Sequence, residues 1–160
     1  MIDILESSVG MRWRKLMDRL GQIEILTPDC NIATVQDGRG GIFNWNPDDD
    51  IKEWVMLNFF PNKVRGNHYH PEFDEYFLVV SGLVVLVTKD ADSGKELNRL
   101  MGPGSCWKSP KFVPHAIHAI KESICMAFLT KRWDECKDPI IFEDLIPFDK
   151  EYLKYKNSEK

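Results

Sequence analysis

Two histidines one residue apart, His68 and His70, stand just before a β-branched and aromatic run, Glu75 to Val80, and this pairing limits the folds open to the chain. On an extended strand, residues two apart leave the same face of a sheet. Both imidazoles would therefore project together. Glu75 follows five residues after His70, and a fourth partner has to come from elsewhere, with His115 in SPKFVPHAIHA the best candidate. Three neutral imidazoles and a carboxylate converging in a β-lined cavity make a site for one divalent transition metal ion: zinc, iron, manganese or nickel. The fold that serves such a site is a small β-barrel.

The rest of the chain agrees with that expectation. Residues 51–60, IKEWVMLNFF, are β-branched and aromatic enough for a strand, and Pro61 with Asn62 ends it. Glu75 to Val80 and Leu83 to Thr88, separated by Ser81-Gly82, read as a hairpin whose arms are nearly continuous in apolar residues and so buried on both faces. ELNRLM, CWKS, HAIHAI and SICMAFLT continue a series of short strands at near-regular spacing, the pattern of an all-β sandwich or barrel. GQIEIL and GGIFNW are further short strands, and PIIFEDLI is a strand candidate in a tail, 133–160, that packs back on the barrel or on a partner subunit. One helix is expected over residues 11–20, where apolar positions recur near every 3.6 residues and Gly21 stands at the end. At 160 residues the chain reads as one domain, 1–160.

Several classes are disfavoured. A net charge of -4 with Lys and Arg scattered among acids leaves no basic footprint for nucleic acid. The four cysteines, Cys30, Cys106, Cys125 and Cys136, form no CxxC pair. No apolar run approaches a membrane span and the N-terminus has no signal-like core, so a cytoplasmic protein without a membrane partner is expected.

HYHPEFDEYFLVVSG, with His68, His70, Glu75 and Gly82, matches the first cupin motif in spacing, with Asn62 in place of its first glycine. Gly104, Pro110 and His115 match parts of the second motif, where Phe112 and Ala119 replace the glycine and the asparagine. Over about residues 60–120 the chain therefore resembles the cupin superfamily. The resemblance implies a double-stranded β-helix, or jelly roll, with a short N-terminal helix. It places His68, His70, Glu75 and His115 on the family's metal-ligand positions. RGNHYH and the residues after it are also similar to cupins of nucleotide-sugar and polysaccharide biosynthesis.

This likeness implies an isomerase or epimerase acting on a small oxygenated substrate, such as a sugar or nucleotide-sugar derivative, with the metal as Lewis acid. Glu72, Tyr76 and His118 are the candidates for moving the proton. His118 also reads as a structural or surface histidine, being three residues from His115 and so on the other face of a strand. Arg65 and Lys108 flank the motifs and suit an anionic group of the substrate, or a salt bridge at the rim. The alternatives are an iron-dependent dioxygenase and a non-catalytic metabolite-binding cupin. Small cupins commonly pair, so a homodimer is expected, with the N-terminal stretch around Trp13 available for the contact.

Overall fold

Strands too apolar to face water on either side have to be stacked in layers, and the chain does this with two antiparallel sheets. The structure, a computed structural model, describes residues 18–26 and 35–147. Strands β1 (Asp18–Leu20) and β2 (Ile23–Leu26) come first, followed by the short ribbon of β3 (Val35–Asp37) and β4 (Gly40–Ile42). β5 (Glu53–Phe59), β6 (Val64–Tyr69), β7 (Glu75–Ser81) and β8 (Val84–Lys89) carry the first motif. β9 (Glu96–Met101), β10 (Cys106–Ser109), β11 (His115–Ala119) and β12 (Ser123–Leu129) complete the body, and β13 (Ile141–Phe142) follows a 3-10 turn at Trp133–Glu135. One sheet has the order β1-β2-β10-β7-β12-β5 and the other β13-β6-β11-β8-β9.

The core lies between the sheets. Phe77 and Trp107 sit opposite each other on β7 and β10 and stack with ring centroids 4.6 Å apart. Leu86, Ile117 and Met101 meet them from the second sheet, all buried. Fully burying side chains of this size contributes roughly 1.5–3 kcal/mol each.

Two expectations need correction here. The arms on either side of Ser81-Gly82 are not a hairpin: β7 pairs with β10 and β12, while β8 pairs with β11 and β9, in the other sheet. Gly82, at φ 92°, turns the chain from one layer to the next, and a Cβ there would collide with Ser123 and the Glu122 carbonyl. Double-sided burial of the arms reflects strands interior to two sheets, not a ribbon. The helix expected over 11–20 is also corrected at its described end. Asp18–Leu20 is strand, paired with Ile23–Leu26, because Gly21 at φ 59° makes a turn between two strands where a helix end was expected. Residues 11–17, and Trp13 with them, lie outside the described residues.

The two motif positions that lack glycine keep a glycine's backbone. Asn62 sits at φ 61° and Phe112 at φ 63°. For phenylalanine this left-handed region is unfavourable, and the turn holds it there. Its amide donates to the His70 carbonyl at 3.0 Å, which ties the loop before β11 to the histidine pair.

A candidate metal centre on the cavity wall

β6 and β11 are neighbours, and their register places His115 directly across from His68. The ladder slips by a bulge just after His115, which brings the β11 backbone close to β6. Gly66 makes room for it: a Cβ there would lie 2.7 Å from the His115 carbonyl oxygen and 3.0 Å from the Ala116 Cα. His70 follows one residue beyond β6, where Pro71 ends the strand. The three rings form a triangle with centroids 4.7 Å apart for His68 and His70, 5.1 Å for His68 and His115, and 5.2 Å for His70 and His115. One ring nitrogen from each lies within 4.8 Å of the others.

Glu75 joins them from the facing sheet, because residues 71–74 cross between layers. Its Oε2 is 3.2 Å from His115 Nε2 and 3.6 Å from His70 Nε2. The other nitrogens of these rings are occupied. His70 Nδ1 lies 2.9 Å from the Pro139 carbonyl oxygen and His115 Nδ1 lies 3.1 Å from that of Val113. A carbonyl only accepts, so each Nδ1 carries the proton and donates it. In the neutral rings both Nε2 atoms then aim lone pairs at a carboxylate, and His70 Nε2 is buried with no hydrogen-bond partner among the described residues. Three such electron-rich atoms at these distances repel unless a cation lies among them. The donor set and this orphaned nitrogen fit a divalent transition metal ion.

The electrostatics point the same way. Burial pushes the pKa of His68 down from 6.5 to about 3, with the neighbouring His115 and His70 adding to the effect and Glu75 opposing it. His68 is therefore neutral near pH 7, as a metal ligand has to be. Burial alone would raise the Glu75 carboxyl, and only positive charge on the His115 and His70 side outweighs it and holds Glu75 below the usual carboxylate range, a charge that a bound cation would supply when both Nε2 atoms carry no proton.

All four side chains line a cavity of about 780 Å³ between the sheets. Its wall is mostly apolar, with Val55, Leu57, Phe59, Ile117 and Leu129 among the lining side chains. Arg65 is on this wall, with its guanidinium 5.6 Å from the Phe59 ring centroid.

The remaining candidates are elsewhere. Tyr76 points to the other face of β7, where its hydroxyl donates to Asp49 at 2.7 Å; burial first, then this bond, raise its pKa. Lys108 belongs to the same outer network, 2.6 Å from Asp49 and 3.0 Å from Asp74, and so makes the salt bridge that was its alternative reading. Glu72 bonds Lys131 Nζ at 2.6 Å and the Asp138 amide at 2.7 Å, and the bond from Lys131 keeps it ionised. His118, paired across from Val64 and Val85, is off the cavity wall, on the other face of β11. Three residues that sequence reasoning passed over support the cluster: Phe73 stacks on His70 with centroids 4.3 Å apart, Pro139 receives its proton, and Asn67 precedes His68. The pair Gly66-Asn67, both prone to left-handed backbone, was the available signal for Asn67.

No protein-family model and no curated protein matches the sequence. Solved structures do match in fold. A 3,4-ketoisomerase from Helicobacter canadensis aligns with a TM-score of 0.64 at 16% identity, covering 85% of this chain and 98% of that one. The dTDP-6-deoxy-D-glucose-3,5-epimerase RmlC from Legionella pneumophila aligns with a TM-score of 0.64 at 13% identity, covering 81% and 76%. The capsular polysaccharide assembling protein CapF from Staphylococcus aureus aligns at 0.55 and 19% identity over 70% of this chain, which spans only 32% of CapF. Two facing antiparallel sheets, the motif positions around His68 and His115, and these likenesses make the fold of this chain the cupin jelly roll, as in RmlC-type epimerases and 3,4-ketoisomerases.

Proposed function

We propose that the protein is a metal-dependent enzyme of isomerase or epimerase type, acting on a small oxygenated substrate such as a sugar or nucleotide-sugar derivative. The observation that carries the reading is the convergence of His68, His70, His115 and Glu75 on one cavity, with the buried His70 Nε2 unpartnered. A divalent transition metal ion held by these four residues would supply Lewis-acid polarisation of a substrate carbonyl. The fold neighbours that are ketoisomerases and epimerases support the reaction class.

The chain's own residues supply the rest. The apolar wall excludes water and strengthens every charge interaction inside it. Arg65 offers a planar fork to an anionic group of the substrate, such as a phosphate or carboxylate. With Glu72, Tyr76 and His118 off the wall, proton transfer passes to Glu53. It faces the cavity on the same sheet as Glu75, with Leu129 between them in register. Its Oε2 accepts the Trp133 amide proton at 2.6 Å, which fixes its position while leaving Oε1 available.

Metal analysis of protein purified without added metal should find roughly one transition-metal ion per chain. A keto-sugar incubated with that protein in deuterated water should take up label at the carbon beside the carbonyl. Glu53→Gln should abolish the uptake while keeping the metal. No label from any keto-sugar, with metal present, would overturn the isomerase reading. The apolar wall favours one second reading, oxygen chemistry at iron(II) held by the same residues; substrate-dependent oxygen uptake after anaerobic iron loading would select it. A homodimer is part of the proposal, and light scattering at micromolar concentration should give about twice the 18.6 kDa of the chain.

A further inference from the structure

After the 3-10 turn the chain returns to the histidines and runs along their outer side. Three anchors fasten residues 138–146 there. Glu72 accepts the Asp138 amide proton at 2.7 Å through Oε1, and its Oε2 accepts from Lys131 Nζ at 2.6 Å. β13 pairs with β6, setting Ile141 across from Tyr69 and Phe142 across from His68. The third anchor is Asn67, fully buried and left-handed at φ 56°. Its Oδ1 accepts the amide protons of Leu145 at 3.1 Å and Ile146 at 3.0 Å, its Nδ2 donates to the Ile146 carbonyl at 2.9 Å, and its backbone oxygen accepts from Glu143 at 2.8 Å.

A glycine would adopt this backbone more easily than asparagine. What glycine lacks is the amide, and here every polar atom of that amide is spent on the returning segment. Between the Glu72 and Asn67 anchors lies Pro139, whose carbonyl receives the His70 Nδ1 proton at 2.9 Å. Ile140, the next residue, is on the cavity wall.

We propose that segment 138–146, pinned by Glu72 and Asn67, is a positioning element for the cluster: its Pro139 carbonyl keeps the His70 proton on Nδ1 and leaves Nε2 as a lone-pair donor facing the cavity. The geometry stands alone, while its purpose rests on the metal-binding reading above. Neither Glu72 nor Asn67 reaches the cavity, so both act through His70. Outer-shell partners that orient a ligating imidazole typically change metal affinity by about 10- to 100-fold.

The tautomer of His70 in the metal-free full-length protein decides the proposal. The chain has four histidines, so their ring nitrogens are separable in nitrogen-15 correlation spectra. In the unsubstituted protein His70 should carry its proton on Nδ1. In Asn67→Gly, which keeps the backbone conformation, and in Glu72→Ala, which changes an outer anchor, the Nε2-protonated form should appear. Cobalt(II) affinity, measured by chelator competition well below the melting temperature, should fall about 10- to 100-fold in both. Should Asn67→Gly not fold, Glu72→Ala decides alone. His70 remaining wholly Nδ1-protonated in the folded variants would overturn the proposal. An unsubstituted protein that binds no cobalt would overturn the metal reading instead, with the tautomer result still deciding what the segment does.

Discussion

Metal-free protein should lose stability steeply as the pH falls below 6.5, at pH values where most globular domains are still near their optimum. In the unfolded chain His68 takes up a proton near pH 6.5, whereas in the folded chain burial beside His115 and His70 delays this to about pH 3. Between those values the unfolded state binds more protons, so stability falls as the pH falls. From pH 6.5 to ~4 this one group removes about 3 kcal/mol. Glu75 acts in the same sense at lower pH, since its folded pKa lies far below the ordinary 4.5 and the unfolded chain is protonated first. Urea unfolding at a series of pH values would read the slope, and His68→Gln, neutral throughout, should flatten the part between pH 6.5 and about 4. An unchanged slope in His68→Gln would show that His68 is not held neutral by its surroundings.

The same buried imidazole shows what could be read from the sequence and what could not. Same-face projection of His68 and His70 follows from the strand period alone, and spacing to Glu75 and His115 follows from the motif. Layering did not follow. Ser81-Gly82 looks like a hairpin turn because a local signal cannot tell a turn within a sheet from a passage between sheets; long-range pairing of β7 with β12 decides it. Side-chain direction failed in the same way. Tyr76 alternates with Glu75 and so leaves the opposite face of β7, which removes it from the cavity even though it is adjacent in sequence. The two charged candidates Glu72 and Lys108 were drawn away by partners distant in sequence, Lys131 and Asp49, whose proximity only the folded chain creates. Pro139 was invisible for the same reason: a carbonyl has no residue-type signature, so its bond to His70 cannot be anticipated from the tail's composition.

Losing His115 should weaken zinc or cobalt binding by two orders of magnitude or more, while losing His118 should leave it unchanged. Transition-metal sites of four protein ligands are worth roughly 10–16 kcal/mol, so one ligand accounts for about 3 kcal/mol, near a hundredfold in affinity. His115 is fixed by its Nδ1 bond to Val113 and offers Nε2 beside Glu75, whereas His118 sits off the cavity on the same strand, so the two substitutions test position with residue type held constant. Glu75→Gln removes the charge and keeps the shape. It should cost a comparable factor, because the remaining imidazoles are neutral donors and the carboxylate is the one anion balancing the cation. The same logic sets selectivity: a site of three nitrogens and one carboxylate should take zinc, cobalt and nickel and leave magnesium and calcium, which require oxygen ligands. Titration against a chromophoric chelator measures all of these. Equal losses in His115→Ala and His118→Ala, or magnesium binding as tightly as zinc, would mean that the cation is held elsewhere and that the cavity cluster is a set of buried polar groups without a metal.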